Sequence, residues 1–217
     1  KPMGRGDLQF DMIPRRTRDG RVVKQGTEVM TGGPDTYHGY GLSWANASNT
    51  PFREYKHFAH EGGISTPLIA YWPKGIDSTL NGKLENQPGH LIDLMATCVD
   101  VAGIEHPKEF SGNKIQPLEG VSLQPAFKGK NLGRKDALYF DHHLNGAIRD
   151  GQWKLVRYGD SGRNAKLHPW QLYDMENDRS EQTDLAKKYP DKVKELAIKW
   201  EKWAVRARVK PWPWKVD

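Results

Sequence analysis

The stretch over residues 49–73, Asn-Thr-Pro-Phe-Arg-Glu-Tyr-Lys-His-Phe-Ala-His-Glu-Gly-Gly-Ile-Ser-Thr-Pro-Leu-Ile-Ala-Tyr-Trp-Pro, constrains this chain more than any other. Arg53, Lys56, His57 and His60 precede Glu61-Gly62-Gly63, and an apolar run over 68–72 follows and is closed by Pro73. The apolar run reads as a buried strand. The glycine pair reads as the hinge for a sharp entry into it. A polar, Gly-hinged loop feeding a rigid strand is a place where binding and catalytic groups sit.

With 217 residues the chain can form one domain, or a domain and a half, around a real core. Hydrophobic content of 36% is low, but eight Trp, eight Tyr and six Phe supply large apolar area per residue and exclude disorder. No run of eighteen apolar residues is present, so no membrane span is expected. The first residues, Lys1-Pro2-Met3-Gly4-Arg5, are not followed by the apolar core of a signal peptide, and any targeting signal is expected upstream. The single cysteine, Cys98, rules out an intramolecular disulfide and reads as a buried small hydrophobe.

The net charge of +6 is uneven. Residues 187–210 carry nine Lys or Arg against three acids, and residues 1–26 carry seven against three. Such asymmetry suits a polyanionic partner, whether nucleic acid or sulfated polysaccharide, but a solvated helix face is the more usual origin of such a charge run.

Residues 1–36 read as loop, and a stretch this long without structure suggests a piece of a larger body. Residues 37–47 read as a further aromatic, Gly-punctuated loop. Over 89–103, Leu91, Leu94, Met95, Cys98, Val99 and Ala102 share one helical face and Gly103 stands as a C-terminal cap, predicting a helix packed on a sheet. Short strands are predicted over 137–142, 146–149, 152–158 and 170–175, with Asp150-Gly151 as a hairpin signal. They form a small antiparallel sheet, because no long crossovers separate them. Residues 190–208 form an amphipathic helix opened by Pro190, with Trp200 and Trp203 on its core face, and Pro211-Trp212-Pro213-Trp214 cannot continue it.

Lys56, four residues, Glu61-Gly62-Gly63, then Thr66-Pro67-Leu68-Ile69 and Trp72-Pro73, resembles the lysine segment of the type I, formylglycine-dependent sulfatases. Later segments resemble the same family in order: His90-Leu91-Ile92-Asp93-Leu94 with Thr97 and Ala102-Gly103; Pro117-Leu118-Glu119-Gly120-Val121-Ser122-Leu123; Ala147-Ile148-Arg149, Gly151 and Trp153-Lys154-Leu155-Val156; and Leu172-Tyr173-Asp174. The resemblance implies an α/β fold: residues 1–135 as the C-terminal part of an alkaline-phosphatase-like sulfatase domain, and 136–217 as a small antiparallel sheet subdomain with a terminal helix. It implies hydrolysis of a sulfate ester with release of inorganic sulfate, in the periplasm or outside the cell.

By the same resemblance Lys56 binds the sulfate group, where a fixed ammonium stabilises charge building on the sulfate oxygens. Without it, a lone lysine in a loop is ordinary solvated surface. His57 and His60 flank Lys56, and either can touch substrate or donate a proton to the leaving oxygen, or simply pack. The assigned catalytic residues are Lys56 and His60. His142, His143 and Asn145, together with Lys56 and His57, are assigned to the substrate. At 141–145, however, the chain departs from the family's pattern, and an exposed histidine pair explains His142 and His143 as well. A metal site on that pair is not expected, since neighbours in a strand point to opposite faces. Asp174, Glu176 and Asp178 fail as a calcium loop, with Arg179 where glycine is needed and Leu185 where glutamate is needed.

The family's nucleophile is a formylglycine made at the head of Cys/Ser-x-Pro-x-Arg. Here Asn49-Thr50-Pro51-Phe52-Arg53 has asparagine in that place, and no Asp-Asn-Gly metal segment precedes Lys56. Formylglycine and calcium are therefore expected upstream, on an N-terminal half that packs against this chain. Two other classes stay open: a non-catalytic binding module for sulfated polysaccharide, and a phosphoester or phosphonate hydrolase of the same superfamily. Nucleic acid is not an expected partner, because the basic residues follow no recognition motif.

Overall fold

The structure, a computed structural model, describes residues 14–26, 29–37, 39, 41–160 and 166–210. The expectations for the start of the chain and for 211–214 lie, wholly or in part, outside those residues. In chain order the elements are α1 (Gly41–Ala47), α2 (Glu61–Ile64), α3 (Ile92–Val101), β1 (Glu109–Phe110), β2 (Asn113–Lys114), β3 (Leu138–His142), β4 (Asn145–Asp150), β5 (Trp153–Arg157), β6 (Gln171–Asp174) and α4 (Pro190–Arg206). Residues 67–138 form one compact unit, and the described residues on either side of them form another.

The larger unit is built on the antiparallel sheet β3-β4-β5-β6. The register pairs Ala147 with Val156 and Ile148 with Leu155, then Lys154 with Tyr173 and Leu155 with Leu172. Since side chains alternate across a strand, Ala147, Lys154, Val156 and Tyr173 share one face, and Gly146, Ile148, Leu155, Arg157 and Leu172 share the other. Both faces are covered, which is why the strands read as apolar runs without clean alternation.

Helix α4 covers the second face. Pro190 stands in its first turn, and Leu196, Trp200 and Ala204 recur at four-residue steps, all fully buried. The Trp200 ring lies where any side chain at Gly146 would have to go, and its indole Nε1 donates to the Phe140 carbonyl at 3.1 Å. The Arg157 guanidinium lies over both Trp170 and Trp200, 4.3 and 4.7 Å from the ring centres, which lets a charged head lie largely buried against aromatic faces. The loop over 53–60 and α2 cover the first face, where Ala59 packs with Ala147, Val156, Tyr173 and Met175. Helix α1 was not expected from the Gly-punctuated sequence.

The smaller unit is organised by Asp93 at the start of α3. Its buried carboxylate accepts the amides of His90 at 2.7 Å and Val121 at 2.9 Å and pairs with the Arg134 guanidinium. One turn on, the Thr97 hydroxyl donates to the Asp93 carbonyl and accepts the Leu123 amide at 2.9 Å. Gly120 passes so close that an added Cβ would stand 2.2 Å from the Ile92 carbonyl oxygen. Gly103, with φ of 64°, caps the helix as its position predicted.

Three expectations are corrected here. The buried face of α3 is Asp93, Ala96 and Thr97, whereas Leu91, Leu94 and Met95 are exposed. Cys98 is exposed as well. The apolar run over 68–72 forms no strand, and Ile69 and Tyr71 are 90% and 89% exposed. A strand needs hydrogen-bonding neighbours, and neither sheet among the described residues includes this segment.

Candidate functional site

The segment carrying Lys56 is shaped by the two glycines that follow it. An added Cβ at Gly62 would stand 2.1 Å from the Glu54 carbonyl oxygen, and one at Gly63 would stand 2.1 Å from that of Phe58 and 2.7 Å from that of Tyr55. The glycines begin no strand. They lie in α2 and let the loop over 53–58 wrap against it, with backbone touching backbone. The expected hinge is therefore a close-packed seat.

The seat is fixed from below by charge. Lys154, fully buried on β5, places its Nζ 2.7 Å from Glu61 Oε1 and 2.8 Å from Glu181 Oε1, while Glu181 Oε2 accepts the Glu61 amide at 2.8 Å. Burial pushes the Glu181 carboxyl up, and Lys154 opposes that shift. Arg53 anchors the other end of the loop, donating to the Tyr173 hydroxyl at 2.9 Å, the Tyr158 hydroxyl at 3.0 Å and the Glu181 carbonyl at 3.2 Å. Tyr158 in turn donates to Glu54 at 2.9 Å. Burial pushes the Tyr173 phenol up to about 12, so it remains a protonated hydrogen-bonding group.

His60 is fully buried. Its ring stacks on Tyr158 and its Nε2 lies 3.0 Å from Gln171 Oε1, while Nδ1 meets no hydrogen-bond partner. Burial pushes its pKa down to about 3, against the Gln171 hydrogen bond and with help from Lys154 and Arg53. The ring is neutral at physiological pH and sits inside the packing.

Lys56 and His57 are exposed, and His57 has a φ of 88° that few residues other than glycine adopt. Its Nδ1 lies 2.9 Å from the Nε2 of His142, at the end of β3. His142 is pushed down first by desolvation, then by His143, His57 and Lys56, so the lysine loop and the β3–β4 hairpin share one electrostatic environment. Residues 143 and 144 form the two-residue hairpin turn, with φ of 48° and 70°, the signs of a type I′ turn. Leu144 is 1% exposed, and Asn145 Nδ2 donates to the His142 carbonyl at 3.0 Å while its Oδ1 accepts the Gly159 amide at 3.2 Å. Asn145 is itself buried, so it braces the turn. Because His143 stands in a turn and not in a strand, the two neighbouring histidines do not diverge, and their ring centres are 4.5 Å apart.

Asn49, at the head of the Pro-x-Arg segment, donates to the Ala45 carbonyl at 2.6 Å and closes the end of α1. In the basic C-terminal segment Lys192 pairs with Glu195, Lys199 with Asp150 and Glu195, and Lys210 with Glu201. At least three of the nine basic side chains of that segment are therefore held in ion pairs. No helix among the described residues is long and apolar enough to cross a membrane.

Comparison with known proteins places this arrangement. The family described as N-sulphoglucosamine sulphohydrolase, C-terminal, matches residues 53–205. A sulfatase of Schizosaccharomyces pombe is 30% identical over 164 residues, covering 74% of this chain and 28% of that protein. Human arylsulfatase K is 32% identical over 142 residues, covering 63% of this chain and 25% of its own length. The crystal structure of Ps i-CgsB matches at 29% identity with a TM-score of 0.58, over 76% of this chain and 34% of that one. The same protein has been crystallised in complex with k-i-k-neocarrahexaose. The chain thus spans about a quarter to a third of the length of these relatives. With the match running from Arg53, through the lysine loop and the four-stranded sheet, into the last turn of α4, this chain belongs to the sulfatase C-terminal family.

Proposed function

We propose that this chain is the C-terminal portion of a sulfatase that hydrolyses a sulfate ester, and that it contributes the sulfate-binding lysine. The observation that carries the reading is the position of Lys56. It is exposed on a loop held by the Gly62-Gly63 seat and the Lys154–Glu61–Glu181 ion triad, and its charge acts on His142. A fixed ammonium at that place would neutralise sulfate oxygens as the ester bond to the organic group breaks. His57, His142 and His143 would face the organic part of the substrate, a sulfated carbohydrate, with Asn145 holding the turn from beneath. His60, buried and neutral, would support the loop by packing and would not exchange protons with substrate.

Residues 1–135 are assigned to the large α/β domain of the whole protein and 136–217 to its small sheet subdomain. The nucleophilic formylglycine and the calcium ion are assigned to its N-terminal half. Asn49 does not fit the nucleophile, and among the described residues the one grouping of potential metal ligands contains no carboxylate. When present, that ion and aldehyde hydrate would polarise the sulfate and supply the attacking oxygen. The apolar run over 68–72 would pair with strands of that half. A periplasmic or extracellular location goes with this assignment.

The test is turnover of a chromogenic aryl sulfate, and of a sulfated oligosaccharide, by the whole protein with calcium present. Lys56→Ala is expected to lower kcat/KM by about 10²–10³, with folding unchanged. Turnover undiminished in Lys56→Ala would overturn the role given to Lys56, and binding of sulfated carbohydrate without any turnover would replace the hydrolase with a binding module.

A further inference from the structure

His57, His142 and His143 bring one ring nitrogen each to within 4.8 Å of one another, and all three side chains are exposed. This is the one such grouping of histidine, cysteine or acidic side chains among the described residues. We propose that the trio is a binding site for a borderline divalent transition cation, of the zinc or copper class, in addition to whatever the whole protein does with a sulfate ester.

The donor set selects the ion. Three neutral imidazoles are poor partners for calcium or magnesium, which take oxygen ligands, and good partners for zinc, copper, nickel and cobalt. A tetrahedral zinc with metal-nitrogen bonds of about 2.0–2.1 Å holds its nitrogens about 3.3 Å apart. The His57 and His142 nitrogens, 2.9 Å apart, need to separate by a few tenths of an ångström, and the third must move in. Rotation of exposed rings supplies both adjustments.

The backbone is organised for this convergence. His143 has the positive φ that its type I′ turn requires, and His57 has a φ of 88° that few residues other than glycine adopt. The turn is held by buried Leu144, by the Asn145 side chain on the His142 carbonyl, and by Gly159, so close that an added Cβ would stand 2.2 Å from the Leu144 Cβ. Three protein ligands leave a fourth position open, and nearby Lys56 favours an anion or a hydroxide there.

The test uses the full chain, stripped with chelator and loaded with Zn²⁺, then with Co²⁺ as a spectroscopic probe. One equivalent of zinc is expected to survive gel filtration, and cobalt is expected to give the intense visible bands of a four-coordinate site. His57→Ala, His142→Ala and His143→Ala should each weaken zinc binding at least tenfold, whereas His168→Ala, a histidine paired with Asp160, should bind as the parent does. Substoichiometric zinc, octahedral cobalt spectra, or equal binding by His143→Ala would each overturn the site. These readouts involve no ester hydrolysis, so failure of the metal site and failure of the sulfatase reading are separate results.

Discussion

Lys154 Nζ lies 2.7 Å from Glu61 Oε1, with both side chains shut away from solvent, joining the middle of β5 to the first residue of α2. Glu181 completes the triad on the other side of the ammonium. Removing the cation leaves two carboxylates in a dry place, and breaking a buried pair in this way costs about 3–5 kcal/mol. Lys154→Met is therefore expected to lower the unfolding free energy by that amount, read from chemical denaturation. Replacing Lys154, Glu61 and Glu181 together by apolar residues should cost much less. A Lys154→Met protein as stable as the parent would show that the triad does not hold the lysine loop.

His60 gives the pH dependence a definite sign. Its folded-state pKa of about 3 lies below the ordinary value of 6.5, so the unfolded chain takes up this proton more readily. Its contribution to stability is complete above the unfolded value and is lost as pH falls toward the folded one. Between pH 6.5 and about 3 the parent should lose stability more steeply than His60→Gln, measured by denaturation at a series of pH values. Parallel curves for the two proteins would contradict a buried neutral ring.

Gly63 needs space and not a special φ, because its φ is not among the positive ones. Where a backbone is compatible, Gly→Ala stabilises by about 0.4–1 kcal/mol. Here the methyl would enter the Phe58 and Tyr55 carbonyls, and overpacking of that kind costs about 1–3 kcal/mol. The clash wins, so Gly63→Ala should unfold at lower denaturant and, in the whole protein, lose activity with Lys56 displaced. A stabilised Gly63→Ala would show the seat to be slack.

Much of this was legible in the sequence where signals are local. Strands β3 to β6 and α4 appear where the short strand-like runs, the Asp150-Gly151 turn and the spacing of Leu196, Trp200 and Ala204 put them. What joins them was not legible, since Glu61 meets Lys154 across 93 residues and His57 meets His142 across 85. The buried face of α3 departs from the apolar periodicity for a related reason. Periodicity counts apolar residues, but its buried face is led by Asp93 and Thr97, which are satisfied by amides of the 121–123 segment. The histidine cluster is not legible in the sequence, because a His-Leu type I′ turn carries none of the usual Asn-Gly signal.

The apolar surfaces left open in the smaller unit lead to the last prediction. Ile69 and Tyr71 are almost wholly exposed, Met95 on α3 is 58% exposed, and Leu91, just before that helix, is 77% exposed. Large apolar side chains exposed in this number mark an interface or a core cut open. If the 68–72 segment is an interior strand of the whole sulfatase, Ile69→Lys should be nearly neutral, within about 0.5 kcal/mol, in this chain alone. It should also reduce self-association there. In the whole protein the same substitution would bury an unpaired ammonium and destabilise by at least about 2 kcal/mol. The comparison needs only denaturation curves of two proteins with and without one substitution. Neutrality in both would place residues 68–72 on the surface of the whole protein and end the interior-strand assignment, while the predicted split would show that Ile69 is buried by parts of the whole protein outside this chain.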